Sequence, residues 1–265
     1  MAHYIHGSDP EEQQRLSLLN RLMNDRYLPK VPVREGMRVF DAGSGLGQFS
    51  ARLAEVVGPN GFCIGLERDE QQLSVARTLE GPVLHFRQGD IFSIPFQPGE
   101  EGSFDLVHAR FLLEHLPDPA RAIRQMKRAL KPGGTLCISD DDHQAMVLFP
   151  EPEGFRQLWD AYMDAYVEVG NDPWIGRKLP KLFHEQGFCD IRIDTAFFGD
   201  VSGSPTFDGF VTNLIEVIAT GRSVMEENDL ITSQAFDAAI EAIRNWANLP
   251  YAAIWYPLCV CTGRV

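Results

Sequence analysis

The stretch Val39-Phe40-Asp41-Ala42-Gly43-Ser44-Gly45-Leu46-Gly47-Gln48-Phe49 carries a hydrophobic run into an acid and then into three glycines at alternating positions. Arg38-Val39-Phe40 reads as the end of a buried strand, the glycines as a tight turn, and residues 48–55 as the first turns of an amphipathic helix. Strand, glycine turn and new helix together make a nucleotide pocket. Glycine lets a ligand approach the backbone, and the helix start offers unpaired N–H groups. Asp41 argues against a phosphate at the mouth of that turn. A carboxylate there repels phosphate but accepts hydrogen bonds from a cationic amine or, through water, from a bound ligand.

Working outward, Phe62-Cys63-Ile64-Gly65-Leu66 is a second buried strand ending in Glu67, about 20 residues past the glycine turn, where an acid is placed to accept bonds from ribose hydroxyls. Residues 69–79 read as a helix and 83–88 as a third strand. That strand ends at Gly89-Asp90-Ile91, which puts Asp90 on the same sheet edge. Residues 104–109 form a fourth strand. A helix from Ala120 to Lys131 follows, its basic residues read as a solvated face, and Lys131-Pro132-Gly133-Gly134 stops it. A fifth strand, 135–139, runs into Asp140-Asp141-Asp142-His143. The repeated β-α rhythm predicts an α/β fold with a parallel sheet, helices on both faces, and the ligand outside the carboxyl ends of the strands.

Beyond Gln144 the rhythm changes. Helices are expected over 155–169, 175–186, 207–219 and 233–248, with a strand over 187–198. The last apolar run, 251–262, is expected to join the same sheet with the 187–198 strand beside it. Before the core, Ser8-Asp9-Pro10-Glu11-Glu12 signals a helix start, and Leu16, Leu18, Leu19, Leu22 and Met23 give it an apolar stripe. Such a helix covers a sheet face, or closes over a ligand and brings Tyr4, His6 and Arg15 to it. The covering role is the simpler expectation.

The composition narrows the partners. In 265 residues the formal net charge is −13, with 44% hydrophobic and 23% charged residues. That acid balance disfavours nucleic acid and anionic membranes, which need clustered Lys and Arg. The five cysteines, Cys63, Cys137, Cys189, Cys259 and Cys261, do not form a disulfide framework. With no apolar leader and no run of membrane-spanning length, a cytoplasmic location is expected.

From roughly Gly36 to Asp140 the chain resembles the class I S-adenosylmethionine-dependent methyltransferases, especially those acting on small molecules. The resemblance rests on Val39 to Gly47, Glu67, Gly89-Asp90-Ile91, Phe104-Asp105-Leu106-Val107, Glu114-His115-Leu116 and Leu130-Lys131-Pro132-Gly133-Gly134, in that order and spacing. It implies a Rossmann-like three-layer α/β/α sandwich whose seven-stranded, mostly parallel sheet has an antiparallel last strand. The implied organisation is a single domain over 1–265. A cap helix would span 1–30, the cofactor core 36–140, a helical lid with one strand 141–250, and the last strand 251–265. The implied cofactor is S-adenosyl-L-methionine. Gly43, Gly45 and Gly47 would pass beneath its methionine and ribose, Asp41 would lie near the amine, and Glu67 would hold the ribose. Asp90 would bind the adenine amino group and the Ile91 backbone the ring edge, while Ala109 and Arg110 would flank the methionine.

Methyl transfer from a sulfonium is an in-line displacement, so the protein chiefly aligns and desolvates. A base assists a hydroxyl or amine acceptor. The candidates at the strand ends are His115, Asp141, Asp142 and His143, with His115 and His143 as the catalytic candidates. No metal is expected, because adjacent residues such as 140–143 rarely converge on one ion. Phe149, Phe155, Trp159, Tyr162, Tyr166 and Trp174 make the later region aromatic, which suits an apolar or ring-containing small acceptor, or else a self-packed lid or homodimer face. Two rival functions stand beside the methyltransferase: a nicotinamide-dependent oxidoreductase and a non-catalytic S-adenosylmethionine-binding protein. Gly43-x-Gly45-x-Gly47 lacks the third glycine at dinucleotide spacing, which weighs against the first.

Overall fold

The computed structural model describes residues 10–265. Helix α1 (Pro10–Tyr27) precedes β1 (Arg38–Ala42), α2 (Gln48–Val57), β2 (Phe62–Glu67), α3 (Glu70–Arg77), β3 (Leu84–Gln88), β4 (Phe104–Arg110), α4 (Pro119–Ala129) and β5 (Leu130–Asp140). After these come β6 (Val147–Phe149), α5 (Phe155–Glu168), α6 (Ile175–Glu185), β7 (Cys189–Phe197), α7 (Phe207–Thr220), α8 (Arg222–Glu227), α9 (Ser233–Trp246), β8 (Ala253–Trp255) and β9 (Pro257–Arg264). Side-chain caps start the helices where the sequence places acids. Asp69 accepts the N–H of Gln72 at α3, and Asp118, just before Pro119, accepts that of Arg121 at α4. Each such cap contributes about 1 kcal/mol.

Among the described residues, seven strands form one sheet in the order β3-β2-β1-β4-β5-β9-β7, with β9 antiparallel to both neighbours. The chain leaves β1 outward to β2 and β3, then returns to β4 on the other side of β1. The connections therefore diverge above the β1 and β4 carboxyl ends, where such sheets open a crevice.

Alternating side chains feed two cores. Val39, Cys63, Leu106 and Cys137 face the layer holding α1, α2, α5, α7 and α9, while Phe40, Ile64, Val107 and Leu136 face α4 and α6. That is the period-2 consequence of a strand buried on both sides. Gly47, at φ +76°, starts α2, and a Cβ there would lie 2.5 Å from the Phe86 ring, so only glycine lets α2 pack this close to β3.

The expected run 251–262 is not one strand. Pro257, which has no N–H to give a ladder, begins β9, and the preceding residues turn away as β8 to pair with β6. This short ribbon leaves Phe149 and Trp255 exposed, with Trp255 packed edge-on against Phe197 at 5.5 Å between ring centroids. Ser8, Asp9, Tyr4 and His6 lie outside the described residues. Among the described residues no helix is long and apolar enough to cross a membrane.

Candidate functional site

A cavity of about 810 Å³ opens above the strand ends, in the upper range for small-molecule sites. Its first half is built by local turns. The Glu67 carboxylate at the end of β2 accepts three backbone N–H bonds of 2.8 Å, from Gly45, Arg68 and Asp69. Burial pushes its pKa up, and these bonds pull it back in part. The bonds fix the carboxylate and leave acceptor capacity on its oxygens. Asp90, past β3, accepts the Phe92 N–H at 2.8 Å and faces the same space.

Asp41 is buried beneath the turn. Ser50 Oγ donates to one of its oxygens at 2.5 Å, and His108 Nδ1 lies 2.7 Å from the other. His108 Nε2 in turn meets the Tyr27 hydroxyl at 2.9 Å, tying the end of α1 to β1 and β4. Arg110, at the end of β4, clamps α1 from above. Its Nη2 donates to Asn20 and Asn24 at 2.8 and 2.9 Å, and the guanidinium lies over the Phe49 ring at 4.5 Å. Arg110 Nη1 is buried with no hydrogen-bond partner. Phe111, next in the chain, is left-handed at φ +52° and turns the chain back over the cavity, bringing Glu114 and His115 to its wall.

The second half is assembled from distant parts of the chain. The acid run after β5 divides its roles residue by residue. Asp140 accepts the Leu113 N–H at 2.8 Å, and Asp142 is paired with Arg177 at 2.5 and 2.6 Å. Only Asp141 is left to line the cavity. Gly176 holds the segment down: its N–H donates to the Asp141 carbonyl at 2.8 Å, and a Cβ would sit 2.7 Å from the Asp140 carbonyl oxygen. His143 Nε2 lies 3.0 Å from Glu114 and 3.9 Å from Asp141, and the His143 ring stacks on Trp159 at 5.5 Å. Glu114, Asp141 and His143 each bring a potential ligand atom within 4.8 Å of the others. The reasoning from adjacency in 140–143 did not contain this set, because Glu114 comes from the turn after β4.

Burial dominates the charges here. It pushes the Glu114 carboxyl up to about 8 and, with the neighbouring Glu114 charge, the Asp141 carboxyl up to about 7. Burial likewise holds His115 down to about 3 and lowers His143, so both imidazoles are neutral. Arg15 lines this half but is neutralised by a two-point pair with Glu12 at 2.7 Å, and also donates to Asn213 at 3.2 Å.

The sequence pattern of the methyltransferase domain matches residues 33–187, more than half of the chain. This chain belongs to the class I S-adenosylmethionine-dependent methyltransferases. The methyltransferase is 26% identical over 197 residues to demethylmenaquinone methyltransferase of Staphylococcus aureus, covering 69% of this chain and 80% of the relative. It is 29% identical over 199 residues to an uncharacterised 37.1 kDa protein in transposon Tn4556 of Streptomyces fradiae, covering 73% of this chain but only 56% of that protein. In fold it is similar to Haemonchus contortus phosphoethanolamine N-methyltransferase 2, solved with phosphomonomethylethanolamine and S-adenosylhomocysteine. The TM-score is 0.53 at 18% identity, over 95% of this chain and 52% of that one. The oxidoreductase and non-catalytic readings fall with the family assignment, and S-adenosylmethionine is the cofactor.

The methyltransferase places Asp41, Gly43, Gly45, Glu67, Asp90, Ile91, Arg110, His115 and His143 on the cavity wall. Two expected cofactor residues lie elsewhere. Gly47 packs against Phe86, and the Ala109 side chain is buried in the α4 and α6 core. Asp142 is spent on Arg177. The aromatic group also divides: Trp159 and Tyr166 line the cavity, Phe155 and Tyr162 are buried behind it, and Phe149 is exposed on the ribbon. Helix α1 covers the sheet and also lines the cavity through Arg15, Leu16, Leu19 and Asn20. Sequence reasoning gave no site role to His108, Glu114 or Tyr256. His108 was findable, because parallel register places it beside Asp41.

Proposed function

We propose that this methyltransferase acts on a small, largely apolar acceptor seated in the second half of the cavity, beyond the ends of β4 and β5. The observation that carries this reading is the continuity of one cavity from Glu67 and Asp90 to Glu114, Asp141 and His143, with Leu19, Met146, Phe198, Leu214 and Ile254 along the wall. The first half fits the cofactor. Glu67 is pre-fixed to receive the ribose hydroxyls, Asp90 is exposed to take the adenine amino group, and the orphan Nη1 of Arg110 is suited to the methionine carboxylate. When bound, S-adenosylmethionine supplies a sulfonium-activated methyl group. The chain's part is to orient the acceptor, exclude water and receive a proton where the acceptor must lose one.

Isothermal calorimetry with S-adenosylhomocysteine tests the cofactor half, and an acceptor screen followed by mass spectrometry tests the second half. Transfer to small apolar acceptors supports the reading. Tight cofactor binding with methylation only of protein or RNA would overturn it.

A further inference from the structure

We propose that the acceptor is an organic amine, held as its ammonium ion between Glu114 and Asp141 while its apolar body lies along Leu19, Met146 and Phe198. This rests on the methyltransferase reading of the same cavity and names the chemistry of its second half.

Charge is the first ground. Two carboxylates line a largely apolar chamber, and the cations nearby are already committed: Arg15 to Glu12, and Arg177 to Asp142. A buried carboxylate without a cation is costly, so the chamber favours a positively charged guest. Geometry is the second ground. The Glu114 and Asp141 oxygens lie within 4.8 Å of one another. One ammonium making two N–H···O bonds of about 2.8 Å at the tetrahedral angle spans about 4.6 Å between its acceptors.

Unused polar atoms are the third and independent ground. His143 Nδ1, buried on the cavity wall, has no hydrogen-bond partner, and the buried Tyr256 hydroxyl faces Asp141, whose Oδ1 makes no close bond. Native interiors rarely leave such groups unpaired unless a ligand or water completes them. The cluster also has the donor types of a divalent-cation site. The long apolar wall and the rings of Trp159 and Tyr166 in the same chamber favour an organic body carrying the charge.

The proton balance follows from the same groups. The bound ammonium gives one proton to the Asp141 carboxylate. The nitrogen lone pair so released forms the new N–C bond to the methyl carbon as the C–S bond breaks, its electron pair remaining on sulfur. The products are the N-methylammonium and S-adenosylhomocysteine. A carboxyl held at about 7 is matched to that task.

The test is calorimetric titration of the S-adenosylhomocysteine-loaded protein with matched pairs: benzylamine and benzyl alcohol, 2-phenylethylamine and 2-phenylethanol, tryptamine and tryptophol. At least one amine is expected to bind about tenfold or more tighter than its alcohol, the size of one charge-assisted hydrogen bond. Asp141→Asn and Glu114→Gln should each erase that preference while S-adenosylhomocysteine affinity stays within about twofold. If no amine exceeds its alcohol, the proposal is overturned. It is equally overturned if MnCl2 or ZnCl2 binds at one ion per chain with micromolar affinity that Asp141→Asn abolishes. Loss of S-adenosylhomocysteine binding in the parent protein overturns the underlying reading instead.

Discussion

The two halves of the cavity are made in opposite ways. The cofactor half is a series of local turns, each closing a strand with an acid or a glycine within a few residues: Asp41 near the end of β1 with Gly45 after it, Glu67 at the end of β2, Asp90 after β3. Its key carboxylate, Glu67, is satisfied by backbone N–H groups from its own turn and the neighbouring one. The acceptor half draws Glu114, Asp141, Tyr166 and Tyr256 from four separate places, and Asp141 Oδ1 makes no close bond there. The first half has its carboxylate fixed by backbone bonds, with Arg110 Nη1 left open, whereas the second holds two carboxyls that burial pushes well above their ordinary range. Substitutions should therefore act oppositely in the two halves.

The largest expected effect lies in the cofactor half. Glu67→Ala removes the acceptor of three backbone N–H groups together with the proposed ribose contact, and should weaken S-adenosylhomocysteine binding about a hundredfold, near 3 kcal/mol by calorimetry. Unchanged affinity would remove the ribose role from Glu67. Next comes Gly176→Ala, which forces a Cβ to within 2.7 Å of the Asp140 carbonyl oxygen and must displace the 140–143 segment from α6. A stability loss of ~2 kcal/mol in denaturant unfolding is expected, with cofactor affinity largely kept and acceptor turnover sharply reduced. Equal damage to both ligands would show that the halves are coupled.

How much of this was legible in the sequence follows the same division. The β-α alternation and the acids at strand ends are short-range patterns, and the structure gathers most of them onto one wall. In the sequence Glu114 stands only within the Glu114-His115-Leu116 motif, and its meeting with His143 depends on the reversal at Phe111, which no periodicity encodes. Strands β6 and β8 are three residues each, too short to show alternation. Tyr256 gains its place only because Pro257 ends one strand pairing and begins another. The division of labour in Asp140-Asp141-Asp142 depends on Leu113 and Arg177, both well over 20 residues away.

The third prediction reverses the usual sign. Asp141 is held at about 7, against an ordinary value near 3.8, by burial and by Glu114 from the turn after β4, with His143 and Tyr256 opposing. Asp140 and Asp142 of its own segment and Tyr162 and Tyr166 of α5 also face it. A raised carboxyl pKa means the fold prefers the protonated acid. The penalty is absent below about pH 4, grows as pH rises through 7, and is complete above it. Asp141→Asn should therefore raise the stability of the ligand-free protein by ~1–2 kcal/mol at pH 8 and by nearly nothing at pH 4. A lower melting temperature at pH 8 would show that the chamber tolerates its charge unaided.

The smallest effect separates bracing from binding. Tyr27→Phe deletes only the hydroxyl that meets His108 Nε2, leaving the ring packed on Phe49 at 5.1 Å. Loss of one buried hydrogen bond should cost ~1 kcal/mol of stability. Because His108 keeps its bond to Asp41, S-adenosylhomocysteine affinity should change less than about threefold. A larger fall in affinity at unchanged stability would mean that the chain from Tyr27 through His108 positions the Asp41 carboxylate. The base of the glycine turn would then depend on α1 for its chemistry, and the cofactor half would be less local than its sequence makes it look.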